Sequence, residues 1–351
     1  MGRLKSLCGN RLFWLFALVT AYRLYMVFQP PLRSTDLLRH MGFGKEFWNY
    51  GLAIYEYAPR DFGDAPYANL WPREEYDYPA VAILFFALLS KLWPSLFFGK
   101  LVLTLLEMAN SFLVWKITKD RLLPLIYYAN PVSLWWVSRE GQFEPLALFF
   151  GFLALYLLPR RPSLGYFSLA LGVQSKVLPV FLLPYFLSKR LGWREISSFV
   201  AGFIPSLLFS WRGPYLSRLM GKATLAACNP YAWNVFDLPK LCHSPSMLIL
   251  TNALVTYGLL ILGLVLMFRR RGFVEYIGLL AFVVALKSVG TARPWYLLAL
   301  PLLAVPINQG WERRLFFLLG CLDRVAIRRL LGIPSEFAYL RPKLRDAMWG
   351  F

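Results

Sequence analysis

Two short stretches each gather residues able to do acid–base chemistry, and both lie among apolar runs. In "STDLLRH" Asp36 is followed by Arg39 and His40, and in "SREGQFEP" Glu140, Gln142 and Glu144 alternate. A carboxylate beside an alcohol can take its proton, and a primary amide can both donate to and accept from hydroxyls. Two cations complete the set, Lys176 in "QSKVLP" and Arg293 in "TARPWY", each a positive charge that can meet an anion. A lysine inside an apolar hairpin is expensive and usually functional.

Each of these residues also has an ordinary structural reading. Ser34, Thr35 and Asp36 form an N-cap cluster for an interfacial helix with Leu37, Met41 and Trp48 on its apolar face. Capping needs only one of the three, which leaves the Asp36 carboxylate for other work. The stretch from Arg139 to Glu144 reads equally as a polar turn, Lys176 as a snorkelling side chain and Arg293 as an interfacial anchor.

The elements that must position these groups follow from composition. The chain has 351 residues, 58% hydrophobic, 17% aromatic and only 16% charged, against roughly a quarter charged in a soluble domain. Apolar runs of bilayer-spanning length recur along it, so the expected fold is an all-α, polytopic transmembrane helix bundle forming one domain over residues 1–351. A net charge of +19 would suggest nucleic acid in a soluble protein, but basic residues collect in short cytoplasmic loops of membrane proteins. No nucleic-acid partner is expected; membrane lipids are.

Placing the basic loops around residues 116–121, 160–161, 189–194, 269–271 and from 313 onward in the cytoplasm sets the topology. Residues 12–28 form a first span with a cytoplasmic N-terminus. Spans follow at 97–115, 122–137 and 145–158, and 163–187 makes two half-helices meeting at Gln174-Ser175-Lys176. Residues 195–211, 246–268, 272–289 and 294–308 bring the total to about ten spans. Residues 78–93 then enter from outside without crossing or lie along the interface; an eleventh crossing there is the alternative, and it would turn the basic loops outward. The extracytoplasmic face receives a long first loop, 29–95, carrying juxtamembrane helices, together with 139–144, the break at Lys176, a second large loop at 212–245, and Arg293. The charged stretches therefore face one shared extracytoplasmic cavity. A polar turn placed there implies that losing Glu140 and Gln142 would cost activity rather than folding. Residues 311–351 read as a cytoplasmic amphipathic tail on anionic lipid.

The ordered series Asp36, "GLAIYEY" (51–57), "YDYPA" (76–80), "NPVSLWWVSREGQFEP", "QSKVLPVFLLP" and "TARPWYLLALPLLA" resembles the GT-C superfamily of integral-membrane glycosyltransferases, its mannosyltransferase-type members above all. The chain departs from that pattern at Pro79-Ala80, where many members have two prolines, and at Glu144, where many have Asp. The resemblance implies transfer of a sugar, most simply mannose, from a polyprenyl or dolichyl phosphate carrier to a glycan, lipid or protein acceptor, with inversion at the anomeric carbon. It implies Asp36 as general base, Lys176 and Arg293 on the donor phosphate, and Arg39, Tyr78, Glu140, Gln142, Glu144 and Asn234 around the substrates. Asn234 lies in "NPYAWNVF", whose aromatics and amides suit a sugar or simply pack over the cavity. No cofactor is certain. A metal is possible but not favoured, since no Asp-x-Asp pair occurs and the chain has two His. Glu107 and Asn110, one turn apart within a span, suit a hydrogen bond to another helix. Cys228 and Cys242 share the second loop and suit a disulfide in an oxidising compartment. A transporter or flippase for an amphipathic lipid is the rival function; it predicts repeat symmetry and ionisable groups at mid-membrane.

Overall fold

The computed structural model describes residues 2–31, 36–63, 75–176, 178–189, 191–211, 214–217, 265, 299–306, 310–319 and 321. All regular structure among them is helical. The helices are α1 Gly2–Phe28, α2 Asp36–Tyr50, α3 Ala80–Leu92, α4 Leu96–Thr118, α5 Leu123–Tyr128, α6 Pro131–Ser133, α7 Glu144–Leu157, α8 Pro162–Ser175, α9 Leu183–Lys189, α10 Trp193–Gly202, α11 Ile204–Ser210, α12 Ala299–Ala304 and α13 Gly310–Leu319. Two of the described helices are long and apolar enough to cross a membrane: α1 over Arg11–Phe28 and α4. Most of the second large loop, with Cys228 and Cys242, falls outside the described residues, as do the runs at 246–264 and 266–298 and most of the tail.

Helix α4 is the spine. Ser95 caps it, its Oγ accepting from the Phe98 N–H at 3.1 Å. It ends at Lys119, whose left-handed backbone (φ 57°) turns the chain sharply. Asp120 then accepts from the N–H groups of Leu122 and Leu123 at 2.7 and 3.4 Å and starts the return. Its other oxygen binds Arg314 of α13 at 3.0 Å, tying the late part of the chain to this hairpin.

The return is not the single helix expected over residues 122–137. It is broken into α5, α6 and a π-helical turn over Leu134–Arg139. The cause is local: Asn130 Oδ1 caps Val132 N–H at 2.8 Å, and Pro131 behind it has no N–H to continue α5. A segment so broken frees backbone groups that need partners. One polar rung to α4 supplies such a partner, Ser111 Oγ donating to the Pro124 carbonyl at 2.8 Å, and others join side chains, Asn110 Nδ2 reaching Tyr127 Oη at 3.3 Å. Higher up, Ser133 Oγ donates to Glu107 Oε1 at 2.8 Å, and Thr104 Oγ1 reaches Ser138 Oγ at 3.2 Å. From α1, Arg23 closes the seam. It is fully buried, donates to the Tyr128 carbonyl and to Ser133 and Ser138, and lies over the Tyr128 ring.

A second break answers another expectation. Residues 195–211 form α10 and α11, divided at Phe203 ahead of Pro205. Gln174 of α8 bridges the division: its amide donates to the Gly202 carbonyl, and its Oε1 accepts from Ser206 N–H and Oγ at 3.0 and 2.6 Å. Ser206 meets Tyr215 Oη at 2.7 Å, and that phenol oxygen accepts from Ala80 N–H at the start of α3. Gln174 thus serves the scaffold.

Helix α3 has 13 residues, about 20 Å at the helical rise and short of the roughly 30 Å of a bilayer core. It lies against α2, with Trp48 Nε1 donating to the Ala87 carbonyl at 2.9 Å and Ser90 Oγ to the Met41 carbonyl at 2.8 Å. One apolar core runs through α2, α3, α4, α7 and α8. A second, largely aromatic core of Phe43, Ile54, Tyr55, Tyr76, Phe209 and Tyr215 fixes the "YDYPA" segment beside α2.

Candidate active site

Asp36 is the first residue of α2, where the helix dipole favours a carboxylate. Residues Leu37 to Gly44 behind it are all buried, so α2 is inserted into the protein rather than laid on a surface. The π-helical turn ends at Arg139, and Gly141 reverses the chain with a φ of +79°. This turn lies directly beneath the start of α2. A Cβ on Gly141 would stand 2.5 Å from Leu37 Cδ2 and 3.0 Å from Leu37 Cβ. The close approach lets Gln142 Nε2 donate to Asp36 Oδ2 at 2.8 Å, across 106 residues of sequence.

Glu144 opens α7, and its Oε1 accepts from Lys176 Nζ in an ion pair. Lys176 sits at the break predicted from "QSKVLP": α8 ends at Ser175, Lys176 is extended, and a 3-10 turn follows at Leu178–Leu182. Its ammonium lies 4.8 Å from the Phe143 ring centroid and 6.0 Å from that of Tyr78. Tyr78 packs edge-on against Phe143, and its carbonyl accepts from Tyr55 Oη at 2.6 Å. Burial pushes the Tyr78 phenol well above its ordinary range, and the Asp36 and Asp77 carboxylates push the same way. The phenol stays a donor at neutral pH. Asp36, Gln142, Glu144, Lys176 and Tyr78 are thereby gathered around one turn.

Other expected members stand elsewhere. Arg39 is held by Asp77 Oδ1 at 3.3 Å and by the Glu75 carbonyl, so it clamps the end of the first loop to α2. His40 is stacked on Phe86 and meets Tyr78 and Phe143 edge-on, filling an aromatic box. Arg139 lies over Trp135 and reaches Met26 Sδ. Arg293 and Asn234 lie outside the described residues. Among the described residues no three His, Cys, Asp or Glu side chains come together as metal ligands.

One expectation needs correcting. Glu140 and Glu144 are fully buried and Gln142 is 3% exposed, so the turn does not offer its carboxylates to an open shared cavity. The start of α2 covers it, and Glu140 stands within electrostatic reach of buried Lys100. Removing Glu140 and Gln142 would therefore disturb folding, since buried polar partners would lose their bonds.

Reading charge from the loops passes over Arg23 and Lys100, and it counts Asp77 among the loop acids without giving it a partner. Lys100 Nζ donates to the Met26 carbonyl at 3.1 Å and to the Gln29 carbonyl, capping the end of α1. The signal was present for two of these: a cation inside an apolar helix needs a partner. Glu107 and Asn110 bond neighbouring segments, Asn110 Nδ2 also reaching the Pro145 carbonyl at 3.1 Å.

The packing at Gly141 carries a stability prediction. Gly141→Ala combines a strained φ with a clash against Leu37 and should cost about 1–3 kcal/mol. Thermal unfolding of the purified variant in detergent measures it, and an unchanged midpoint would mean that the turn is not pressed against α2.

No protein-family model, curated protein or solved structure matches the chain.

Proposed function

We propose that the chain is a multi-pass membrane glycosyltransferase of about ten spans, which moves a sugar, most simply mannose, from a polyprenyl or dolichyl phosphate to a hydroxyl acceptor. The observation that carries this reading is the convergence of Asp36 with the Lys176–Glu144 pair at one buried turn, drawn from segments 106 and 32 residues apart. A base and a cation on one turn suit a reaction that removes a proton from an alcohol and releases a phosphate.

In that reaction the acceptor oxygen attacks the anomeric carbon while Asp36 takes its proton. The bond from that carbon to the phosphate oxygen breaks, the electron pair leaves with the phosphate, and Lys176 stabilises the charge. Attack opposite the leaving group inverts the anomeric centre. Gln142 donates to one oxygen of Asp36 and so orients the carboxylate that takes the proton. Arg293 joins Lys176 on the phosphate and Asn234 the sugar in this reading. Glu140 and Arg39 support the site from behind.

The test is transfer itself. Purified protein in lipid discs, given polyprenyl-phosphate [3H]mannose and a membrane extract as acceptor source, should form a labelled product. Absence of product with every lipid-phosphate sugar tried would sink the reading. The buried Arg23 and Glu107 within long helices lend some support to the rival, a lipid transporter. Movement of labelled lipid between leaflets without sugar transfer would establish that alternative.

Both termini are placed in the cytoplasm and the site outside. Exposed Arg60 and Arg160 test this. Arg60→Cys should react with an impermeant thiol reagent added outside sealed vesicles, and Arg160→Cys should not. Outside labelling at residue 160 would invert the topology.

A further inference from the structure

Lys176 Nζ can donate three hydrogen bonds, and Glu144 Oε1 is its one oxygen partner among the described residues. Two donor positions therefore remain on a partly exposed ammonium whose side chain is 14% accessible. Glu144 is enclosed: its side chain is 0% accessible, and its Oε2 has no hydrogen-bond donor among the described residues. The carboxylate is fixed at the first turn of α7, with Pro145 after it and Phe143 before it. An anion arriving at Lys176 meets an ammonium that already holds one carboxylate which has nowhere else to go.

Resting on the lipid-phosphate donor assigned above, we propose that Glu144 makes the Lys176 site select a singly charged phosphodiester over a doubly charged phosphomonoester. The donor is a phosphodiester with one negative charge. The spent carrier is a phosphomonoester with a charge of about −1.5 to −2 at pH 7. Both would share the Lys176 ammonium with Glu144. Two anions on one ammonium stand only about 5 Å apart, two charge-assisted hydrogen bonds across. At that separation, inside a poorly hydrated site, each added negative charge is repelled by Glu144. The first charge is compensated by Lys176, and the second has no such compensation from this pair. Glu144 therefore weakens the product more than the donor, and cleavage of the sugar–phosphate bond itself switches the ligand from retained to expelled.

The test measures binding to full-length protein in lipid discs by calorimetry, with farnesyl phosphate as the monoester and farnesyl methyl phosphate as the diester. Wild type should prefer the diester by on the order of tenfold or more. Glu144→Gln keeps an oxygen for Lys176 but removes the charge, and should tighten the monoester enough to erase most of that preference. Glu144→Asp keeps the charge and should retain it. A Glu144→Gln protein that keeps the wild-type preference, or tightens both ligands equally, overturns the role of Glu144. Lys176→Gln separates the two levels. It should weaken both ligands, and wild-type binding of both in that variant would remove Lys176 from the phosphate and the proposal with it, while leaving the transfer assay to decide the function.

Discussion

Asp36→Asn should lower sugar transfer by about a hundredfold to ten-thousandfold, the range that a positioned base contributes. The fold should survive. Asn occupies the same volume, its carbonyl can accept from Gln142 Nε2 as Asp36 Oδ2 does at 2.8 Å, and it tolerates the first turn of a helix. Donor binding should also survive, because the proposed reaction assigns the phosphate to the lysine and not to this carboxylate. What the amide cannot do is take the acceptor proton. Comparing initial rates with labelled donor against calorimetric affinity for a farnesyl phosphodiester separates the two effects. Equal loss of rate and affinity would make Asp36 a binding group, and wild-type turnover would remove it from the chemistry.

Asp36 stood out as a candidate base because its surroundings were spare. Asp36 stands in a short polar stretch with two other capping candidates, so its carboxylate was not needed for the helix. The break at Lys176 was also legible, since an amide, a hydroxyl, a lysine and a proline interrupt an apolar run, and α8 does end there. The partners were not. That Gln142 would reach Asp36, and Glu144 would reach Lys176, depends on how closely α2 approaches the turn. Such an approach is set by Gly141 against Leu37, a contact between segments far apart in sequence.

Burial of the turn was misjudged for the same reason. Polarity alone placed residues 139–144 at a wet surface, whereas the covering helix begins about a hundred residues earlier. Continuity of the spans was misjudged for a different one. Counting apolar length treats residues 122–137 and 195–211 as uniform rods. The "NP" and "IP" dipeptides inside them divide the backbone, and polar side chains on α4 and α8 then bond the exposed backbone groups. Hydropathy averages do not register such repairs, because each depends on one residue in a neighbouring helix.

The largest effect on stability is expected at the repair made by Arg23. Its guanidinium donates to the Tyr128 carbonyl through Nε at 3.0 Å and Nη2 at 2.6 Å, to Ser138 Oγ at 2.8 Å and to Ser133 Oγ at 2.8 Å. Ser133 in turn donates to Glu107. Arg23→Met fills most of the volume but leaves a carbonyl without its donor and the Glu107 carboxylate without a nearby cation. Leaving several buried polar groups without their donor costs about 3 kcal/mol or more, enough to unfold a marginal protein. Thermal unfolding in detergent should therefore show a large drop for Arg23→Met. Arg23→Met combined with Glu107→Gln removes both charges and should recover much of the loss, which an additive pair of contacts would not do. Arg23→Lys should fall between, keeping the charge but not the fork that spans three acceptors. The catalytic consequence follows from connectivity. Ser138 lies at the end of the π-helical turn, four residues before Gln142, so loosening Arg23 frees the turn that holds Asp36. The recovered double variant should be stable yet slower in transfer than wild type, because the charge balance is restored but the grip on Ser138 is not. A double variant as unstable as Arg23→Met would show that the hydrogen bonds to the broken helix, and not the buried charge of Glu107, set the cost.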